Sequence, residues 1–214
     1  MKTLLLSILL ISIDISLNAQ TNRFHFGIEY SPNFSNVTDL RNDINYGYRI
    51  SHNIFLKTEY SLTKRFDITA GFGYLNTREF SSLSFGGQLD IERVDVIYNT
   101  NYLALPLGLK YNFGSFYIQP EVAIAYNFDN TDLQRSYASS GATGKTRWKD
   151  DINTRYNHQF TAPCFLTLGH KIDLKYGSIL FGVKGYYSLN KIGSDYGIRG
   201  KHYYGFGVMT GLRF

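Results

Sequence analysis

The 214-residue sequence predicts an all-β chain, an eight-stranded antiparallel up-and-down barrel. Three observations carry that prediction. Large apolar residues alternate with small or polar ones at period two in eight separate stretches. The connections between stretches are alternately short and long, as in a barrel trimmed at one end and carrying loops at the other. Helical periodicity is absent after residue 20, in a chain with 16% aromatics, 20 Gly and only 4 Pro.

Residues 1–19 read as an export segment and residues 20–214 as the barrel domain. Lys2 opens the segment, residues 4–13 form a short, mostly apolar run, and Leu17, Asn18 and Ala19 before Gln20 resemble a cleavage site, although Asp14 interrupts the run. A membrane-spanning helix needs about 20 apolar residues, so this run is a signal peptide rather than an anchor. Strand one then sets Phe24, Phe26, Ile28, Tyr30 and Phe34 against His25, Gly27, Glu29, Ser31 and Asn33, with a polar loop following to about Gly47. Strand two sets Tyr48, Ile50, Ile54, Leu56, Tyr60 and Leu62 against Arg49, Ser51, Asn53, Lys57, Glu59 and Ser61. After a turn at Thr63 and Lys64, strand three sets Phe66, Ile68, Ala70, Phe72 and Tyr74 against Asp67, Thr69, Gly71 and Gly73. Leu89, Ile91, Val94 and Val96 around Gly86 and Gly87 predict that strands three and four continue as a protruding hairpin.

The clearest pattern lies at residues 102–128. Leu103, Leu105, Leu107, Leu109, Tyr111 and Phe113 share one face, and Ala104, Pro106, Gly108, Lys110 and Asn112 the other. Beyond Gly114 and Ser115 the alternation resumes, with Phe116, Ile118, Pro120, Val122, Ile124 and Tyr126 opposite Tyr117, Gln119, Glu121, Ala123 and Ala125. This is a β-hairpin. Residues 129–158, with Gly141, Gly144, Trp148 and charges of both signs, read as a solvated loop. Strand six sets Leu166, Leu168, Ile172 and Leu174 against Thr167, Gly169, Lys171 and Asp173; strand seven sets Ile179, Phe181, Val183, Tyr187 and Leu189 against Gly182, Lys184, Tyr186 and Ser188. Strand eight places Tyr204, Phe206, Val208, Leu212 and Phe214 opposite Tyr203, Gly205, Gly207, Met209, Gly211 and Arg213.

Volume decides which face is outside. An eight-stranded barrel has an interior only just wide enough for side chains to fill, and the large apolar set would overfill it. The other face is rich in glycine and carries charges of both signs: Glu29, Glu59, Asp67 and Glu121 beside Lys57, Lys110, Lys171, Lys184 and Arg213. Packed together in a lumen, these neutralise one another, and Lys110 and Glu121 share the inner face of one hairpin and are expected to pair. On the outer face, Tyr60, Phe66, Tyr111, Phe113, Phe116, Tyr176 and Phe214 fall near the short turns, and Tyr30, Phe34, Tyr48, Tyr74, Tyr126 and Tyr187 toward the loops. Two aromatic girdles around an aliphatic band are the signature of a transmembrane β-barrel. Hydrocarbon tolerates sheet only when it is closed.

Little in the sequence points to catalysis or cofactors. Ser51 and His52 are adjacent and therefore fall on opposite faces, which separates nucleophile from base. His25, His158, His170 and His202 have no metal-ligand spacing, so no metal or cofactor is expected. Cys164 is the only cysteine, which excludes an intramolecular disulfide. The net charge of +5 is scattered without a basic, aromatic-interleaved cluster, so it fits anionic lipid headgroups rather than nucleic acid. In the long loop, Arg135, Lys145, Arg147, Lys149 and Arg155 are offset by Asp129, Asp132, Asp150 and Asp151.

The run Tyr102, Leu103, Ala104, Leu105, Pro106, Leu107, Gly108, Leu109, Lys110 and Tyr111, the turn Lys64, Arg65 and Phe66 into a Gly-rich strand, and the alternating last strand ending in Phe214 together resemble the small outer-membrane β-barrel proteins of Gram-negative bacteria, in particular the porin-like group that includes the PorT family. The resemblance implies export to the outer membrane and insertion by the barrel-assembly machinery, which reads a last strand such as Tyr204, Phe206, Val208, Leu212 and Phe214. The expectation is a monomeric outer-membrane barrel without catalysis, its termini periplasmic, in contact with outer-membrane lipids and lipopolysaccharide. It would act as a structural or binding element with specificity in its extracellular loops, toward an extracellular or secretion-system protein partner. The alternatives are a narrow pore for ions or small solutes and a lipid-modifying enzyme.

Overall fold

A computed structural model describes residues 23–38, 45–84, 91–138, 143–149, 160–190 and 202–214. Within them lie eleven strands and no helix: β1 (Phe24–Thr38), β2 (Asn45–Gly47), β3 (Arg49–Ser61), β4 (Phe66–Ser84), β5 (Ile91–Phe113), β6 (Phe116–Ala138), β7 (Thr143–Lys149), β8 (Phe160–Thr161), β9 (Pro163–Leu174), β10 (Gly177–Ser188) and β11 (His202–Arg213). Residues 1–19, His158, Asp150, Asp151 and Arg155 lie outside the described residues.

Each strand pairs antiparallel with its neighbour in the order β1, β3, β4, β5, β6, β9, β10, β11, and β11 returns to β1. Closure leaves no edge in the wall. β2 prolongs the line of β3 beyond Tyr48, and β8 that of β9 beyond Ala162. The wall is therefore an eight-stranded antiparallel barrel. The closing seam runs from Gly27 opposite Arg213 to Thr38 opposite His202. Pro32 lacks the N–H that a central strand needs, and the ladder is interrupted there. The Ser31 hydroxyl donates to the Val208 carbonyl at 2.9 Å and bridges the gap.

The tight turns follow from local chemistry. Gly114, at φ +70°, and Ser115 join Phe113 to Phe116; the left-handed conformation costs glycine little. Between β3 and β4 the Thr63 hydroxyl accepts from the backbone N–H of Arg65 and Phe66, at 3.2 and 3.1 Å.

β4 and β5 stay paired out to Ser84 opposite Arg93, the protruding hairpin that the sequence predicts. The neighbouring segment differs from the expectation of a solvated loop from Asp129 onward. β6 continues to Ala138, and β7 pairs with it from Thr131 opposite Lys149 to Tyr137 opposite Thr143. Beyond the girdle, polar residues occupy both faces of a strand, so hydropathy loses its period while the backbone ladder continues. The loop after strand one is likewise shorter than expected, because β1 runs to Thr38 and β2 begins at Asn45.

The faces are as expected. Leu107 and Ile124 are each 63% exposed, whereas their inward neighbours Ala104, Ala123 and Ala125 are fully buried. Rings pack around the short-turn end through Phe24 with Tyr60 and Phe66 with Tyr111, both tilted, and Tyr111 with Phe113 and Phe113 with Phe116, both stacked. A second set gathers toward the loops: Phe34 with Phe206, Tyr48 with Phe206, Tyr74 with Phe128, and Tyr126 with Phe160. Phe66 and Tyr74 mark the two girdles on β4, eight residues apart. That is roughly 26 Å of strand at about 3.3 Å per residue, or roughly 20 Å along the axis at a tilt near 40°.

The facing can be tested directly. With Trp148 replaced by Phe, Leu107→Trp should be strongly quenched by lipids brominated in mid-chain and Phe165→Trp, on the inner face, only weakly. Equal quenching would contradict the register.

Candidate functional site

The inward side chains build two ion-pair clusters. In the first, Glu59 on β3 accepts from Lys110 on β5 at 2.8 Å and from Arg213 on β11 at 2.9 Å. Asp67 on β4 sits beside them, held by the Asn112 amide at 2.8 Å. In the second, Glu121 on β6 takes Lys57 from β3 and, at 3.4 Å, Lys184 from β10; Lys184 also pairs with Glu29 on β1. The Thr69 hydroxyl donates to Glu121 at 3.4 Å. Each cluster holds two cations and two carboxylates, so formal charge cancels within it. Cancellation matters because an unpaired charge in a low-dielectric interior is costly.

The expected pairing of Lys110 with Glu121 is not formed. Glu121 stands opposite Gly108, and Lys110 opposite Asp67. Strands in a barrel are tilted and staggered, so a long side chain reaches a carboxylate several strands away more readily than one on its own hairpin. Lys57 reaches Glu121 across the lumen over ground kept clear by glycine. A Cβ on Gly108 would meet Glu121 Cγ at 2.7 Å, and one on Gly71 would meet Lys57 Cδ at 3.0 Å.

Of the nine charged residues expected in the network, eight belong to these clusters. Lys171 stands apart at the short-turn mouth, bonded at 3.1 Å to the exposed Asp173, which also accepts from Ser178 at 2.7 Å.

Aromatic rings pack against these clusters, among buried polar side chains such as Ser31, Asn33, Asn53, Thr69 and Gln119. The Tyr117 ring lies 4.4 Å from Lys110 Nζ, and its volume is accommodated by Gly169, where any Cβ would strike the ring. Phe55 and Phe165 meet edge to face at 5.9 Å and cover Lys184 at 5.2 and 4.9 Å. These are cation–π contacts in a desolvated setting. Tyr186, Tyr203, Tyr102 and Leu75 continue the buried apolar group toward the loops. Phe55, Phe165, Tyr102, Leu75 and Leu180 were not expected as luminal residues. The signal was available, because counting by two along each strand places them inward.

Three of the described histidines pack locally. His52 turns outward and its Nδ1 lies 2.9 Å from the Tyr30 hydroxyl, while Ser51 is buried inward. His170 sits between Phe116 and Phe181, and His202 stacks on Tyr187. Among the described residues no three His, Cys, Asp or Glu side chains gather to hold a metal ion. On the last strand, Phe206, Val208, Leu212 and Phe214 are exposed on the outer face and Tyr204 is half-buried.

Residues 18–194 match the family model described as an outer membrane protein beta-barrel domain. The chain belongs to that family. Among solved structures it is similar to Ail, the attachment invasion locus protein of Yersinia pestis, at 9% identity over 90% of this chain and 99% of that one, with a TM-score of 0.40. The outer membrane protein OprG of Pseudomonas aeruginosa gives 14% identity over 90% and 97%, with a TM-score of 0.36. The outer membrane protease OmpT of Escherichia coli gives 10% identity over 90% and 93%, with a TM-score of 0.41. No curated protein matches the sequence.

Proposed function

We propose that this outer-membrane barrel is sealed and without catalytic activity, a structural or binding element whose specificity lies in the strand extensions and loops beyond the loop-end girdle. The observation that carries this is the filled lumen, in which two self-neutralised ion-pair clusters are packed against Tyr117, Phe55 and Phe165. An ion entering it would have to part buried pairs that have no aqueous replacement. The narrow-pore reading requires a wet lumen. For the lipid-modifying enzyme, Ser51 and His52 point to opposite faces and offer no nucleophile with its base.

On this reading the chain is a monomer with periplasmic termini and carries a cleaved signal peptide at residues 1–19. It lies among outer-membrane lipids and lipopolysaccharide in a Gram-negative cell. Its last strand is read by the barrel-assembly machinery, and the β4, β5, β6 and β7 extensions present a surface to an extracellular or secretion-system protein. Membership of the PorT group rests on residues 102–111 and on the turn at Lys64 and Arg65. The test is conductance: purified protein in a planar bilayer should give no current steps above the bare membrane. Discrete, reproducible steps would establish the pore instead.

A further inference from the structure

The short-turn mouth of the barrel contains a polar hollow of about 680 Å³, lined by Arg23, Lys64, Arg65, Lys171 and Arg213 with Asp67 as its one carboxylate. We infer that this hollow is a binding site for a phosphate-bearing anion. Backbone hydrogen bonds hold these cations in place. The backbone carbonyl of Arg23 accepts from Ser61 N–H at 2.7 Å, that of Arg65 from Asn112 N–H at 2.7 Å, and Lys171 N–H donates to the Ser115 carbonyl at 2.7 Å. Three cations on separate segments are thus anchored around one opening by ordered backbone.

Of the carboxylates near this end, Glu59 is engaged by Lys110 and Arg213, Asp173 by Lys171 and Ser178, and Asp67 by Asn112. Among the described residues, Arg23, Lys64 and Arg65 make no side-chain ion pair, so the rim carries positive charge that no described side chain neutralises. This contrasts with the two clusters deeper in the lumen, where charges cancel. Scattered surface lysines and arginines are ordinarily solvated; these converge on one concavity.

The donors are also placed at two depths. Lys64 and Arg65 are exposed at the rim, whereas the Arg213 and Lys171 side chains are only 14% and 19% exposed at the floor and wall. Arg213 donates one bond to Glu59, and a guanidinium has five N–H groups. The hollow therefore offers many donors and a single carboxylate acceptor. A lone carboxylate ligand would satisfy either rim or floor; phosphate oxygens, carrying more charge and more lone pairs, span both. The volume is that of a small-ligand pocket. The short-turn girdle surrounds the opening at headgroup level, so the phosphate could belong to a phospholipid of the adjoining leaflet or to a soluble compound.

The experiment separates the two sources. Full-length protein in phosphatidylcholine nanodiscs is titrated calorimetrically with inorganic pyrophosphate. In a second arm, protein in nanodiscs of phosphatidylglycerol and phosphatidylcholine is analysed by native mass spectrometry for retained anionic lipid. Whichever ligand binds should be weakened at least ten-fold by Lys64→Gln with Arg65→Gln and by added salt. Both residues lie in an exposed turn, so the barrel should fold as judged by heat-modifiable gel mobility. Arg23→Gln, on a different segment, provides a second variant with the same expected direction. Arg49→Gln, which loses a contact with the Phe80 ring at the other end, should leave binding unchanged. Binding in the first arm alone identifies a soluble phosphate, in the second alone a lipid headgroup, and in both a general phosphate site. Absence of binding in both, or binding indifferent to the rim variants, overturns the proposal.

Discussion

Glu121→Gln is expected to destabilise the folded barrel by about 3–5 kcal/mol, the cost of removing one partner from a buried ion pair. Glu121 is 3% exposed and accepts from two lysines at once. Its loss would leave Lys184 with Glu29 and Lys57 with no charged partner among the described residues. Gln can still accept a hydrogen bond but cannot balance a charge. Replacing Lys57 by Met in the same chain should recover part of the loss, because the stranded ammonium is then removed as well. Lys110→Met should combine additively with Glu121→Gln, within about 0.3–0.5 kcal/mol, since the two belong to different clusters and share no partner. Reversible urea unfolding in phospholipid vesicles measures all four variants. If Glu121→Gln were neutral, water would have to reach the lysines, and the sealed-lumen reading would fail with it.

The division of the luminal charges into two clusters separates what the sequence shows from what it conceals. The facing of Leu103, Leu105, Leu107 and Leu109 is legible because hydrocarbon imposes a strict period on every residue that crosses it. The inward placement of Lys110 and Glu121 follows from the same count. Their partners do not follow, because stagger between strands decides which side chains meet across the lumen, and a hydropathy pattern carries no record of stagger. The β6 and β7 extension is illegible for a related reason: where both faces carry polar residues, the ladder leaves no periodic trace. Phe55 and Phe165 are legible by parity, since counting by two from Asn53 and from Thr167 places them inward. The basic mouth is hidden differently, since Arg23, Lys171 and Arg213 lie far along the chain from Lys64 and Arg65 and join them only when the barrel closes.

Leu107→Arg is expected to cost about 2–4 kcal/mol and Tyr176→Arg only about 0–1 kcal/mol, because the penalty for a charge on the lipid face depends on its depth in the bilayer. Leu107 is 63% exposed, with Ala70 and Val122 beside it on the neighbouring strands, in the middle of the aliphatic band. Tyr176 is 74% exposed, in the turn between β9 and β10, where water and headgroups are within reach of a guanidinium. By exposure alone Tyr176 is the more accessible position, so an account based on burial within the protein predicts that neither substitution matters. Only a hydrocarbon surround makes the arginine at position 107 expensive. The same urea unfolding series reads both variants. Near-equal, small costs would mean that the outer face meets water, and would remove the physical basis for placing the leucines outside and the ion pairs within.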